Sequence, residues 1–249
     1  MGSLKRVGAA AETPVAALLV LSLGFVLALA ALSVEVVEKH TGGWDRPVHA
    51  WFVGHRYGAV TGLMETLTWL GSTAVLVPLL LAVGGYLVWS RRSWSNPLFV
   101  WAAFAGAVIL GETGKVIFGR ARPPAADMIT RAGGYAFPSG HSLQAMTGWG
   151  LLAVLAAGSG TLRRRTRLAL AGACAVVIVL VGTSRLYLGV HWLSDVIGGF
   201  LLGAAWLSLL LAFRTGRGRL GPPPPRTIVL VEGDDVAQDD DVWEDTDTS

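Results

Sequence analysis

Several stretches of this 249-residue chain run for about 20 residues with almost no charged side chain. A helix of that length is long enough to cross the hydrocarbon core of a lipid bilayer. Over the whole chain 53% of the residues are hydrophobic, 15% are charged and 32 are glycine, which is an unusual balance for a soluble domain. The pattern predicts an all-α membrane protein that crosses the bilayer several times.

Six membrane-spanning helices are predicted, each to within a few residues at its ends. They cover residues 14–34, 62–89, 97–118, 142–159, 168–186 and 193–213. The first resembles a secretory signal, because Lys5 and Arg6 precede it and Ala28-Leu29-Ala30 has the form of a cleavage site. Its apolar run continues past that triplet, which indicates a retained helix. Segment 38–61 is rich in Trp, Tyr and His and is predicted to lie at the membrane interface.

The chain is predicted to have three parts. Residues 1–13 form a cytoplasmic N-terminus, residues 14–213 a six-helix domain, and residues 214–249 a basic and then Pro-rich and acidic tail. Nine of the 17 acidic residues lie in 232–247, a composition typical of a disordered segment. The membrane part is strongly basic, which suits a partner with anionic lipid head groups. No nucleic-acid or nucleotide motif is present, and the sequence leaves the oligomeric state open.

The basic residues of the short loops predict the orientation in the membrane. With the N-terminus inside, the cytoplasmic segments hold most of the loop cations that serve no other purpose. These are Lys5, Arg6, Arg91, Arg92, Arg163, Arg164, Arg165, Arg167, Arg214, Arg217 and Arg219. We therefore expect both termini in the cytoplasm and the protein in the cytoplasmic membrane.

Three polar clusters fall at the predicted outer ends of the helices. They are Lys115 with Arg122-Pro123, then Pro138-Ser139-Gly140-His141, then Ser184-Arg185 with His191 and Asp195. Nearly 80 residues separate the first cluster from the last. The predicted topology nevertheless brings all three to the outer face of the membrane, so one shared site is possible.

The cations and the small-residue turn in these clusters suit a phosphate group. Arg122 and Arg185 carry planar guanidinium groups that can each bind two phosphate oxygens, and Lys115 adds a compact point charge. The turn at Ser139 and Gly140 can direct backbone N–H groups at a further oxygen, because glycine has no side chain to block close approach.

The two histidines and the aspartate suit proton transfer and nucleophilic attack. Asp195 follows His191 by four residues, so on a helix the carboxylate can orient the imidazole as a nucleophile. His141, with an ordinary pKa of about 6.5, can act as the general acid. Glu112 lies one turn before Lys115 and is expected to pair with it, or else to be a plain interfacial carboxylate.

Each cluster taken alone is also compatible with a structural role. Arginines beside membrane helices often serve as interfacial anchors, and a single membrane histidine often has a packing role. A His and an Asp four residues apart can also ligate a metal. A metal site would want more neutral or anionic ligands and fewer permanent cations, so we expect no metal and no cofactor. His40, His49 and His55 have no motif partner and are expected to be interfacial.

The joint spacing of the clusters resembles the three-part signature of the type 2 phosphatidic acid phosphatase family, whose superfamily also contains the vanadium-dependent haloperoxidases. Six residues separate Lys115 from Arg122, five separate Arg185 from His191, and three separate His191 from Asp195. All eleven fixed positions match in order, and the resemblance covers about residues 60–213.

The resemblance implies a metal-independent lipid phosphatase that works through a phosphohistidine at His191. Asp195 would orient His191 and His141 would protonate the leaving group. The residues implied to hold the phosphate are Lys115, Arg122, Ser139, Gly140 and Arg185. The family's substrates include phosphatidic acid, phosphatidylglycerol phosphate and polyprenyl diphosphates, and the resemblance does not choose among them. The alternatives are a vanadate-dependent haloperoxidase-like enzyme and a non-catalytic protein that binds or transports lipid phosphates.

Overall fold

The computed structural model describes residues 9–91 and 94–217, and all regular secondary structure in these ranges is helical. The helices are α1 (Ala9–Val37), α2 (Gly42–Gly54), α3 (Gly58–Thr68), α4 (Thr73–Arg91), α5 (Ser95–Phe118), α6 (Gly140–Ala157), α7 (Arg164–Tyr187) and α8 (Leu193–Arg217). Short 3₁₀ turns lie at Trp69–Gly71 and Ala125–Asp127. The predicted all-α class is confirmed for this part of the chain. Most of the predicted N-terminal segment, Arg92, and the predicted tail beyond residue 217 lie outside it.

Five of the described helices are long and apolar enough to cross a membrane. They are Pro14–Val37, Thr73–Ser90, Ser95–Phe118, Arg164–Tyr187 and Leu193–Gly216. Many large apolar side chains on them are exposed, including Val20, Val116 and Val179, as expected for helices surrounded by lipid. The predicted span 142–159 corresponds to α6, which is not among the five. Helix α6 is more enclosed by other helices than they are, with buried residues from Gly140 to Leu151.

The predicted single helix over residues 62–89 is wrong. Helix α3 ends at Thr68, a 3₁₀ turn follows, and α4 begins only at Thr73. Ser72 breaks the helix, because its backbone is extended (ψ 150°) and its hydroxyl accepts a hydrogen bond from the N–H of Val75 at 3.3 Å. The side chains on both sides of this break are mostly apolar. Hydropathy alone therefore predicts one continuous helix.

The predicted interfacial segment 38–61 contains α2 and the first turn of α3. Two polar side chains of α2, Asp45 and His49, are buried. Helix α2 contacts α7 and α8, and α3 packs along α7. This segment is therefore packed onto the bundle and contributes buried polar groups to it.

Helix α6 lies at the centre of the bundle and packs against α5, α7 and α8. One apolar core joins α4, α5, α6 and α8. Its buried members are Leu76, Leu80, Val100, Ala103, Phe104, Leu151 and Leu207. Helix α1 packs mainly on α8, where the Ser22 hydroxyl donates a hydrogen bond to the Ala205 carbonyl at 3.0 Å. This packing fixes the ends of the helices relative to one another.

The three polar clusters lie at the same end of the bundle. Helix α5 ends there because Gly119 adopts a left-handed conformation (φ 55°) and its N–H donates to the Lys115 carbonyl at 3.0 Å. The cis Phe137–Pro138 peptide leads into Ser139, the N-cap of α6. Helix α7 ends just after Arg185, and α8 begins just before Asp195. The fold thus brings together residues that are far apart in sequence.

Candidate active site

His191 lies in the short connection between α7 and α8 and is 2% exposed. Its Nδ1 is 3.3 Å from Oδ2 of Asp195, and its Nε2 is 3.1 Å from Nη1 of Arg122. A guanidinium can only donate hydrogen bonds, so Nε2 is the accepting nitrogen and the ring proton is on Nδ1. The unprotonated nitrogen of His191 therefore faces a cation, and the protonated nitrogen faces a carboxylate.

The surroundings of His191 favour the neutral imidazole. Burial lowers its pKa well below the usual 6.5, and the positive charges of Arg185 and Arg122 lower it further. A neutral imidazole keeps the lone pair on Nε2, which a nucleophile needs.

Asp195 is fully buried at the start of α8. Its Oδ2 accepts a hydrogen bond from the Trp192 N–H at 2.8 Å, and its Oδ1 accepts one from Nη1 of Arg120 at 2.5 Å. Its backbone carbonyl accepts a hydrogen bond from the Ser139 N–H at 2.9 Å. Asp195 is thus held in one orientation and also ties the second cluster to the third.

Two arginines flank His191. Arg122 donates to the carbonyls of Gly133 (3.0 Å), Gly134 (3.1 Å) and Val190 (2.8 Å), which fixes the plane of its guanidinium. Arg185 is 7% exposed and donates from Nη1 to the Thr68 hydroxyl at 2.6 Å.

The Nε of Arg185 is buried and has no hydrogen-bond partner among the described residues. A buried N–H of a charged group is costly to leave without an acceptor. An anion bound beside Arg185 would supply one.

The expected pair between Lys115 and Glu112 is confirmed, because Lys115 Nζ lies 2.7 Å from Oε1 of Glu112. Lys115 also lies close to Gly140. A Cβ at Gly140 would be 3.3 Å from Lys115 Nζ, which is tighter than an ordinary contact. Glycine at this position therefore lets the ammonium group approach the start of α6.

The start of α6 supplies further donors. Ser139 is fully buried, and its Oγ accepts hydrogen bonds from the N–H (3.5 Å) and the hydroxyl (3.0 Å) of Ser142. The first N–H groups of a helix have no partner within it and favour an anion. His141 lies in this first turn, within electrostatic range of Arg185, His191 and Lys115.

The structure brings all eight residues singled out in the sequence to one site. They are Lys115, Arg122, Ser139, Gly140, His141, Arg185, His191 and Asp195. The arrangement combines three cations and a helix start with a neutral, oriented imidazole, so it can bind a phosphate and attack it. No group of three or more His, Cys, Asp or Glu side chains with metal-site geometry occurs in residues 9–91 and 94–217.

Sequence reasoning missed a polar network behind Asp195. Arg120 donates to Asp195, to Ser194 and to two residues at the start of α2, Thr41 and Asp45. The available signal was the position of Arg120, two residues before Arg122 and just after the end of α5. Asp45 offered no signal, because it is an isolated acid in a segment with an interfacial composition.

His49 has no partner among the motif residues, as expected, but the sequence did not indicate that it is buried and has a polar partner elsewhere. His49 is 8% exposed, and its Nε2 lies 3.1 Å from Oδ2 of Asp127. Its ring centre is 5.2 Å from that of Trp192. The side chain is buried because α2 packs against the loop that carries Asp127. His40 and His55 are exposed, and each contacts residues of its own helix end, Glu35 and Glu38 for His40 and Trp51 for His55.

Comparison with known sequences gives consistent matches. Residues 96–219 match the model of the PAP2 superfamily. The chain is 29% identical over 193 residues to phosphatidylglycerophosphatase B of Bacillus subtilis (strain 168). That alignment covers 78% of this chain and 92% of the other protein. It is 30% identical over 161 residues to the undecaprenyl-diphosphatase of Sulfolobus acidocaldarius, covering 63% of this chain and 71% of that protein.

Two solved structures share the fold. The transmembrane PAP2-type phosphatidylglycerolphosphate phosphatase from Bacillus subtilis superposes with a TM-score of 0.75 at 26% identity, covering 79% of this chain and 96% of that one. LpxE from Aquifex aeolicus superposes with a TM-score of 0.53 at 22% identity, covering 68% and 94%. The second similarity supports the fold alone.

Proposed function

Because the chain belongs to the PAP2 superfamily of membrane lipid phosphatases, we propose that it hydrolyses a phosphate monoester or diphosphate of a lipid through a phosphohistidine intermediate, without a metal ion. The similar proteins named as phosphatidylglycerophosphatase and undecaprenyl-diphosphatase support this substrate class. Phosphatidic acid, phosphatidylglycerol phosphate and polyprenyl diphosphates are the candidate substrates.

The observation that carries the proposal is the orientation of His191. Its Nε2 lies 3.1 Å from Arg122, while its Nδ1 lies 3.3 Å from Asp195. A phosphate oxygen bound by Arg122 would bring the phosphorus close to the lone pair of Nε2. Asp195 would at the same time balance the positive charge that the ring acquires on attack.

In the first step Nε2 of His191 attacks phosphorus, so that a P–N bond forms and the P–O bond to the lipid breaks. His141 donates its proton to the leaving oxygen and becomes neutral. In the second step a water attacks the phosphohistidine and gives a proton to His141. The P–N bond breaks, inorganic phosphate leaves, and both histidines return to their starting forms.

Lys115, Arg122, Arg185 and the N–H groups at Ser139 and Gly140 are proposed to hold the phosphoryl oxygens. Fixed cations stabilise the charge that develops in the transition state, which is the task a metal ion performs in other phosphatases. These cations support the proposal that the reaction needs no metal ion.

The site is proposed to face the outside of the cytoplasmic membrane, with the lipid chain remaining in the bilayer. In this arrangement α6 joins the five apolar helices as a further span of the 14–213 domain, and residues 1–13 and 214–249 are cytoplasmic. The positive-inside distribution of the loop arginines supports this orientation.

A trapping experiment tests the proposed function. The purified full chain in detergent is assayed against phosphatidic acid, lysophosphatidic acid, phosphatidylglycerol phosphate and a polyprenyl diphosphate. It is then mixed briefly with the ³²P-labelled form of the best substrate and quenched with alkali. We expect an acid-labile, base-stable phosphoenzyme that maps to His191, and we expect equal labelling in excess chelator.

His191→Ala should lose both labelling and turnover, because no neighbouring side chain can replace the nucleophile. His40→Ala is the matched control, since His40 is exposed and lies outside the site, and it should behave as wild type. Turnover in His191→Ala close to that of wild type would refute the phosphohistidine mechanism. Activity that chelator removes and a divalent metal restores would refute metal independence.

A further inference from the structure

A buried polar network outside the eleven signature positions lies directly behind Asp195. At its centre is Arg120, whose side chain is 14% exposed and lies between two almost fully buried carboxylates. One is Asp195, on α8. The other is Asp45, on α2, which is 2% exposed.

Arg120 uses both of its terminal nitrogens within the protein. Its Nη1 donates to Oδ1 of Asp195 and to Oγ of Ser194, both at 2.5 Å. Its Nη2 donates to Oδ2 of Asp45 at 2.6 Å and to Oγ1 of Thr41 at 2.9 Å. Both terminal nitrogens are therefore occupied by protein oxygens.

Asp45 closes the network on its far side. Its Oδ1 accepts a hydrogen bond from the Ser194 N–H at 2.9 Å, and its Oδ2 accepts one from the Ser194 hydroxyl at 2.6 Å. The start of α2 is thereby attached to the first turn of α8. Asp195 lies one residue beyond Ser194, so α2 and Arg120 fix the same turn that carries the orienting carboxylate.

The network assigns separate tasks to the two oxygens of Asp195. Arg120 binds Oδ1, which leaves Oδ2 for the Trp192 N–H and the His191 imidazole. Two buried carboxylates near each other repel, and a cation between them offsets both charges. Without Arg120, the carboxylate of Asp195 would lose its charge partner and the contact that fixes its rotation.

We propose that Arg120 is a positioning residue for the nucleophile His191, acting through Asp195, and that Asp45 holds Arg120 in place for this task. The proposal rests on the proposed function. It places part of the catalytic apparatus on α2, outside the segment that carries the sequence signature.

Kinetic constants of Arg120 variants test the proposal. Arg120→Ala should lower kcat by about 10- to 10³-fold, below the roughly 10⁴-fold loss when an orienting Asp becomes Asn in a serine protease triad. KM should change little, because both terminal nitrogens of Arg120 already donate to protein oxygens. Arg120→Lys should recover part of kcat, and Asp45→Asn should lower kcat less than Arg120→Ala.

A double-mutant cycle with Asp195→Asn separates positioning from a purely structural role. If Arg120 acts through Asp195, Arg120→Ala should cost little further kcat once Asp195 is Asn. Arg56→Ala is the matched control. Arg56 is also part-buried on this side of the bundle, where it donates to the carbonyls of Tyr187 and Asp127 without touching Asp195. Its effect should be the same in both backgrounds.

Three outcomes would overturn the proposal: equal losses from Arg120→Ala in both backgrounds, a rise in KM with kcat unchanged, or no rescue by lysine. If Arg120→Ala does not fold, as judged by thermal unfolding in detergent, the Arg120→Lys and Asp45→Asn variants complete the cycle. Failure of the proposed function would be seen differently, as absence of lipid phosphate turnover in the wild-type protein.

Discussion

At the scale of single residues, the ionisation of His191 is governed by its surroundings. Burial and the charges of Arg185 and Arg122 lower its pKa well below 6.5. A histidine with a lowered pKa stays neutral as the pH falls through 6.5 and takes up a proton only at lower pH. Its Nε2 lone pair is therefore present across the whole neutral and mildly acidic range.

This gives a prediction for the pH dependence. The acidic limb of kcat/KM reports ionisations in the free enzyme and should lie below pH 6.5. Arg185→Gln removes one of the three positive charges that repel the proton, so the limb should move to higher pH. The measurement is kcat/KM from pH 4 to 8, corrected for the ionisation of the substrate phosphate as titrated by ³¹P NMR. An acidic limb at or above pH 6.5 that does not shift in Arg185→Gln would contradict the lowered pKa of His191.

The residues of the site were predictable to different degrees. Lys115, Arg122 and His191 could be found because their residue types and spacing match the chemistry of phosphate transfer. The pair between Glu112 and Lys115 followed from helix periodicity alone. Asp45 could not be found, since its partner Arg120 lies 75 residues away and no local pattern links the two.

At the scale of elements, the end of α5 sets the positions of two cations. Gly119 ends the helix in a left-handed conformation (φ 55°), with Lys115 in the last turn before it and Arg120 directly after it. Among the described residues, a Cβ at Gly119 would contact Tyr135 at 3.8 Å, an ordinary distance, so space is not limiting. The requirement for glycine comes from the backbone conformation.

Gly119→Ala should therefore destabilise the protein by about 1–2 kcal/mol, the cost of placing an L-residue in the left-handed region. It should also reduce kcat/KM, because both neighbouring cations would shift. Thermal unfolding in detergent gives the stability. Gly43→Ala, in the first turn of α2 with open space around it, is the matched control and should be neutral or slightly stabilising. Equal stability of the two variants would contradict the backbone argument.

Helices could be predicted where a long apolar run determines where they begin and end. Spans 97–118 and 193–213 agree with α5 and α8 to within a few residues. The span 62–89 failed because the break at Ser72 depends on a local backbone turn and a hydroxyl cap, and neither changes the hydropathy. Helix α2 was hidden because its polar residues have tertiary partners that no sequence window contains.

At the scale of the whole molecule, the site and the arginines around the start of α7 lie at opposite ends of the bundle. Loop residues 119–139 join α5 to α6 at the site end, and Thr161 lies between α6 and α7 at the other end. The positive-inside rule supports our proposal that the site faces the outside of the cell.

Cysteine labelling checks this orientation. The single native cysteine, Cys174, is buried and can be replaced by alanine to remove background. In that background, Ala126→Cys should react with a membrane-impermeant maleimide in intact cells, and Thr161→Cys should react only after the cells are broken. Both positions are exposed, so access to solvent does not bias the comparison. Labelling in the reverse order would place the site in the cytoplasm.

The spacing of Asp45, Arg120 and Asp195 has a consequence for biosynthesis. The three residues follow one another at intervals of 75 positions, so the ribosome delivers an acid, a base and a second acid in turn. Arg120 can pair with Asp45 as soon as α5 has been inserted, but His191 has no orienting carboxylate until α8 emerges. We expect a partly synthesised chain that still lacks α8 to be unable to hydrolyse a lipid phosphate. Catalytic competence would then arrive together with the last described helix, as the nascent protein completes its insertion.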